Sequence, residues 1–139
     1  MMERFVLFIF IVIPPTVYGQ SQFVCTYVSE IKVTHLDTKS PRTEVKKVSD
    51  RYTFLLEKDG TASYINLALG TKNRATALFD GSKVTFTEWN RTDNFFVATV
   101  FLSHQVPEGN ASIMSFHGWG SHSTYFPSLS IGSCVAFNR

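Results

Sequence analysis

The sequence predicts an all-β protein: a single antiparallel, barrel-like domain laid out as a meander of about eight strands, with a two-sheet sandwich as the alternative. Three observations carry this. Short runs alternate apolar and polar residues between clusters of turn residues, with no segment showing several turns of helical periodicity. Asp-Gly pairs at Asp59-Gly60 and Asp80-Gly81 separate such runs, and Gly tolerates the positive φ of tight hairpins. The only cysteines, Cys25 and Cys134, fall in the first and last expected strands. A closed barrel brings those two strands together and removes exposed edges.

Met1 to Gly19 has the three-part pattern of a secretory signal peptide. Arg4 supplies a charged start, Phe5 to Ile13 is an unbroken apolar run, and Pro14-Pro15 breaks it before Val17-x-Gly19. The run falls short of the roughly 20 residues that span a bilayer. The expected mature chain, residues 20–139, has the size of one domain and a periplasmic or secreted address, with no stable membrane insertion after cleavage. In an oxidising compartment Cys25 and Cys134 are expected to pair. The net charge of +2 is unchanged when Glu3 and Arg4 are removed, which argues against a polyanionic partner and so against nucleic acid. Thirteen phenylalanines supply ample material for a core.

In chain order, Phe23 to Leu36 reads as one long strand or two shorter ones. Asp37 to Pro41 is turn chemistry, and the mixed charges around it (Lys39, Arg42, Glu44, Lys46, Lys47) suggest a solvated connection rather than an anion-binding loop. Arg51 to Lys58 alternates cleanly with Tyr52, Phe54 and Leu56 inward. Thr61 to Leu67 returns with Ala62 and Tyr64 on one face, and Leu69 to Asn73 is the next turn. Arg74 to Phe79 and Lys83 to Trp89 flank the second Asp-Gly turn. Asn94 to Leu102 is apolar on both faces, which suits a central strand covered on each side. Pro107 to Asn110 turns it into Ala111 to His117. A loop containing Gly118, Gly120 and Pro127 then leads to a last strand, Leu129 to Phe137.

The candidate binding residues lie in that loop. His117, Trp119, His122 and Tyr125 combine imidazoles with large aromatic rings, and Gly118 and Gly120 permit an unusual backbone path around Trp119. A Trp in this position is either an exposed anchor or a plug closing a barrel end. The expected partner is an unspecified protein or small ligand. A metal centre is not expected: zinc needs three or four ligands, and beyond His117 and His122 there is no short Cys/His grouping, with His35 and His104 far away. No Gly-x-Ser-x-Gly elbow or dinucleotide fingerprint occurs, so neither a catalytic residue nor a cofactor is assigned. Glu88, on the Val84/Phe86 strand, reads as a solvent-facing or cross-strand carboxylate. Asn90-Arg91-Thr92 and Asn110-Ala111-Ser112 fit the N-glycosylation pattern at expected turns, where Asn is common for its own reasons.

The segment from Val84 to Phe137 resembles a set of small exported bacterial proteins. The resemblance rests on Val84-Thr85-Phe86-Thr87-Glu88, on Val97-Ala98-Thr99-Val100, on the Ser/His segment from Ser115-Phe116-His117 to His122-Ser123-Thr124, and on Ile131-Gly132-Ser133-Cys134. It implies a periplasmic address and no particular activity. The plan of a β domain whose terminal strands share a disulfide is also similar to that of C-type lysozyme inhibitors, which implies a protein-binding loop rich in Ser, Gly and Tyr. The Gly-x-Trp motif that opens lipocalins is missing from the first strand.

Overall fold

The computed structural model describes residues 20–34, 42–89, 95–119 and 125–138. These form one closed antiparallel barrel in which each strand pairs with the next in sequence: β1 (Ser21–Thr34), β2 (Arg42–Leu56), β3 (Ala62–Asn66), β4 (Thr71–Phe79), β5 (Lys83–Trp89), β6 (Phe95–Val106), β7 (Gly109–Trp119) and β8 (Tyr125–Asn138). The barrel closes where β1 meets β8, with Cys25 directly opposite Cys134. The two form a disulfide with their Cα atoms 4.0 Å apart. The sandwich alternative is therefore set aside, and the bond is compatible with an oxidising compartment. The expected signal peptide, residues 1–19, lies outside the described residues.

Alternation sorts each strand into an inner and an outer face. The inner face carries Phe23, Cys25 and Tyr27 of β1, Phe54 of β2, Tyr64 of β3, Val84 and Phe86 of β5, Phe96, Ala98 and Val100 of β6, and Met114 of β7. Rings from opposite walls meet across the axis: Phe54 stacks on Phe86 at 4.9 Å, and Phe23 meets Phe86 edge-on at 5.9 Å. Strand β4 contributes only Ala75 and Ala77 to this core, and β8 faces inward with Ser130. Small residues on these walls leave room for the rings opposite, as a narrow barrel requires. Each fully buried ring contributes on the order of 1.5–3 kcal/mol.

A buried polar chain crosses this core. The Tyr27 hydroxyl lies 2.9 Å from Ser112 Oγ, which donates to the Thr99 carbonyl at 3.0 Å. Beside it, β1 carries a bulge between Tyr27 and Ser29. A Cβ on Gly132 would sit 2.1 Å from the Thr26 carbonyl oxygen, so only glycine lets β8 pass there.

The turns follow side-chain chemistry. Asp59 Oδ1 accepts from the backbone N–H and the hydroxyl of Thr61, and Asp80 Oδ1 accepts from Ser82 and Lys83. Those bonds hold both carboxyls below their ordinary pKa, the Thr61 hydroxyl dominating for Asp59 and the Ser82 N–H for Asp80. At the β3–β4 hairpin Asn66 Oδ1 accepts from Ala68 and Leu69, and Gly70 takes a φ of +67°. That turn occupies residues 67–70, not 69–73, and β4 starts at Thr71.

Three further expectations are corrected. The charged segment from Arg42 is the first half of β2, not a connection; from Arg42 to Lys47 it pairs with Thr34 to Ser29 of β1 and is solvated on both faces. The outer face of β6 (Phe95, Val97, Thr99, Phe101) is half-buried, because a single-layered barrel has no second layer to cover it. The β7–β8 hairpin runs further than expected: Gly118 and Trp119 belong to β7, and β8 starts at Tyr125, with Pro127 inside it opposite His117.

Candidate functional site

The strand ends that β1 and β2, β3 and β4, β5 and β6, and β7 and β8 share lie at one end of the barrel, here the connection end, and Ser21 and Asn138 lie at the other. The two ends differ in chemistry. At the terminal end a hollow of about 290 Å³ is lined mainly by Phe23, Leu56, Phe79, Val84 and Leu102. At the connection end the inner face is polar and charged. A row of paired residues runs Glu44, Lys32, Ser128, Phe116, Phe96, Glu88 from β2 through β1, β8, β7 and β6 to β5.

The floor of this mouth is aromatic. Tyr64 stacks on Phe96 at 4.8 Å, and the Tyr52 ring lies 6.2 Å from Phe96 and 6.3 Å from Tyr64. The hydroxyls of both tyrosines are held from above. Tyr64 Oη donates to Glu88 Oε2, and Asn66 Nδ2 donates to Tyr52 Oη at 3.2 Å. Burial, then the Glu88 carboxylate, pushes the Tyr64 hydroxyl far above its ordinary pKa. Burial raises Tyr52 likewise, followed by the negative charges of Asp50 and Glu30. Both hydroxyls therefore stay protonated near neutral pH. On the opposite wall a hollow of about 370 Å³ is lined by Glu30, Lys32, Phe116 and Ser128. Lys32 Nζ sits 3.3 Å from Glu30 Oε2, whose side chain is only 14% exposed.

This mouth holds two carboxylates, one lysine and several aromatic rings. A larger hollow of about 620 Å³ lies outside β3 and β4, among Glu57, Thr61, Ser63, Lys72 and Arg74. It is an open groove on the outer face, without the aromatic floor, and the mouth is the better-built site.

Of the sequence-predicted residues, His117, Trp119 and Tyr125 lie on the β7–β8 hairpin at this end. Trp119 and Tyr125 are opposite one another in the last described pair of the β7–β8 hairpin. Gly118 lies within β7 and is not among the positive-φ glycines (60, 70, 81 and 109). The expected unusual path around Trp119 is thus, on the Gly118 side, ordinary strand. His117 alternates with inward Phe116 and packs on the outer face against Phe95, ring centroids 6.2 Å apart. His122, like His35 and Asn90, lies outside the described residues. His104 is at the opposite end, with Nδ1 3.1 Å from Ser103 Oγ. Among the described residues no three His, Cys, Asp or Glu groups come together as metal ligands. Asn110 is a buried β7 residue, 8% exposed, whose Nδ2 donates to the Cys134 carbonyl at 3.4 Å and whose Oδ1 accepts from Gln105. The folded barrel does not present that amide for a glycan.

Sequence reasoning read Glu88 as a solvent-facing or cross-strand carboxylate and passed over Glu30 and Lys32. The signal for Glu88 was its parity with Val84 and Phe86, which places it on the inner face. Its partner Tyr64 is 24 positions away, and nothing local joins the two. The chain matches no protein-family model and no curated protein.

Proposed function

We propose that this chain is an exported, non-catalytic binding module, periplasmic or secreted, that takes its partner at the connection end of the barrel. The carrying observation is the mouth: the Glu88 carboxylate accepts from the Tyr64 hydroxyl beside the Tyr52, Tyr64 and Phe96 rings, and the Glu30 carboxylate lies on the opposite wall. Carboxylates and aromatic rings sharing one mouth suit a cationic, donor-rich group, because both attract ammonium or guanidinium. Lys32 shows the chemistry internally, its ammonium resting on Glu30. The partner is a small amine, or a protein that offers a Lys or Arg side chain.

The test is an NMR titration of the ¹⁵N-labelled mature protein with n-butylammonium and arginine methyl ester, and with acetate as a control. Shifts concentrated at Glu30, Lys32, Glu88, Phe116 and Ser128, and lost in Glu88→Gln, support the reading. Equal response to acetate, or no response to either cation, overturns it.

A second reading, recognition of a protein by the hairpin tip as the likeness to lysozyme inhibitors implies, draws on one feature. The β7–β8 hairpin carries the Trp119–Tyr125 pair beyond the Phe95–His117 pair where the described part of β6 begins. Trp119→Ala separates its two roles. An anchor leaves the fold unchanged and weakens only binding to the protein partner, whereas a plug costs roughly 3–5 kcal/mol of stability.

A further inference from the structure

A closed barrel removes strand edges only over the length that pairs on both sides. Strand β3 pairs with β2 from Tyr52 to Leu56, and the Leu67 N–H reaches the Arg51 carbonyl. From Arg42 to Asp50, β2 pairs with β1 alone, so among the described residues its other edge has no strand beside it. This edge is exposed, and outward Val45 is 69% accessible. Regular pairing extends from Arg42 to Lys47, where the β1–β2 register shifts.

We propose that a second copy of this chain pairs antiparallel along this edge, β2 to β2, about a two-fold axis at Val45. A two-fold axis perpendicular to the sheet requires paired residues to share a face, so their numbers sum to an even value. Centring on Val45 sets Val45 against Val45, Glu44 against Lys46 twice, and Thr43 against Lys47 twice. Moving the axis to Glu44 sets Glu44 against itself and Arg42 against Lys46. Moving it to Lys46 sets Lys46 against itself. Centring on Thr43 joins Arg42 to Glu44 but pairs only three residues, whereas the Val45 register joins unlike charges over five residues without juxtaposing like ones.

The barrel's own pairs reinforce this choice. On the inner face Glu30 stands opposite Lys46, and Lys32 opposite Glu44. With the second copy in place, one row reads Glu30, Lys46, then the partner's Glu44 and the partner's Lys32, with the sign alternating at every step. The neighbouring row is its two-fold image. The same two lysines would serve equally to keep an isolated edge from pairing, and that is the competing outcome.

The test uses the oxidised mature protein in sedimentation velocity from micromolar to millimolar concentration. The proposal expects the mass to rise from one chain toward two as concentration increases. Glu44→Lys alone and Lys46→Glu alone each place like charges in register, and each is expected to stay monomeric with an unchanged circular dichroism spectrum. Mixing those two variants restores complementarity and is expected to give the heterodimer. A wild-type chain that is monomeric throughout the range overturns the proposal. So does a dimer that persists in both single variants, because its interface then lies elsewhere. A mixture of folded variants that fails to associate overturns the Val45 register.

Discussion

Tyr27 and Ser112 offer a sharp test of how the polar chain in the core is held. Both are buried, the Tyr27 hydroxyl 2.9 Å from Ser112 Oγ, which donates onward to the Thr99 carbonyl at 3.0 Å. Tyr27→Phe removes one hydroxyl but leaves Ser112 donating to Thr99, so it strands no donor. Its expected cost is about 1 kcal/mol, the net worth of one hydrogen bond. Ser112→Ala is worse, because the Tyr27 hydroxyl then stays buried without its partner, at about 2 kcal/mol. In the double variant both polar groups are gone, an apolar pair replaces them, and the cost returns to about 1 kcal/mol. Tyr27→Phe should therefore rescue Ser112→Ala, although it destabilises the wild type. Urea unfolding of the oxidised protein, followed by circular dichroism with m held in common, gives the cycle. A double variant at about 3 kcal/mol, the additive value for independent sites, refutes the coupling.

Gly132→Ala should cost about 3 kcal/mol or more, because the clash falls on β1 backbone that cannot yield. Gly81→Ala, at a φ of +89° in open space, should cost only about 1–2 kcal/mol, and equal melting shifts for the two would count against the close approach at Gly132. Replacing Cys25 and Cys134 together by Ala opens a link across 109 positions, for which the chain-entropy estimate is about 4.7 kcal/mol. A loss below about 1 kcal/mol in urea would show that the β1–β8 ladder holds closure unaided. Tyr27, Tyr52 and Tyr64 all have raised pKa values, burial being the first cause in each. The folded chain keeps protons that the unfolded chain releases above about pH 10, so stability falls as pH rises through that range. Absorbance at the tyrosinate band should thus rise together with loss of circular dichroism; ionisation of all three in a still-folded barrel would contradict the burial.

Much of the plan was readable along the chain. Asp59-Gly60 and Asp80-Gly81 marked hairpins because their turn chemistry is local: the Asp side chain bonds its own neighbours, and Gly takes the positive φ. Alternation placed Tyr52, Phe54, Ala62 and Tyr64 on their common inner surface, since a pleated strand presents every second residue to one side. The positions of Cys25 and Cys134 pointed to the closing seam.

What depends on register was not readable. The strand from Arg42 to Asp50 is solvated on both faces, so it carries no hydrophobic period and looks like a loop until β1 is laid beside it. Gly132 matters only because a bulge in β1 brings the Thr26 carbonyl against it. Only closure of the barrel decided that Glu88 meets Tyr64 and that Lys32 shares a hollow with Phe116. The sequence alone determined the β period, the turns and the cysteine pair, since each arises within a strand, at a hairpin or from a single pair of thiols. The mouth and the open β2 edge come from which strands are long, which are short, and how their rows line up around the barrel. No single segment of chain encodes that relation.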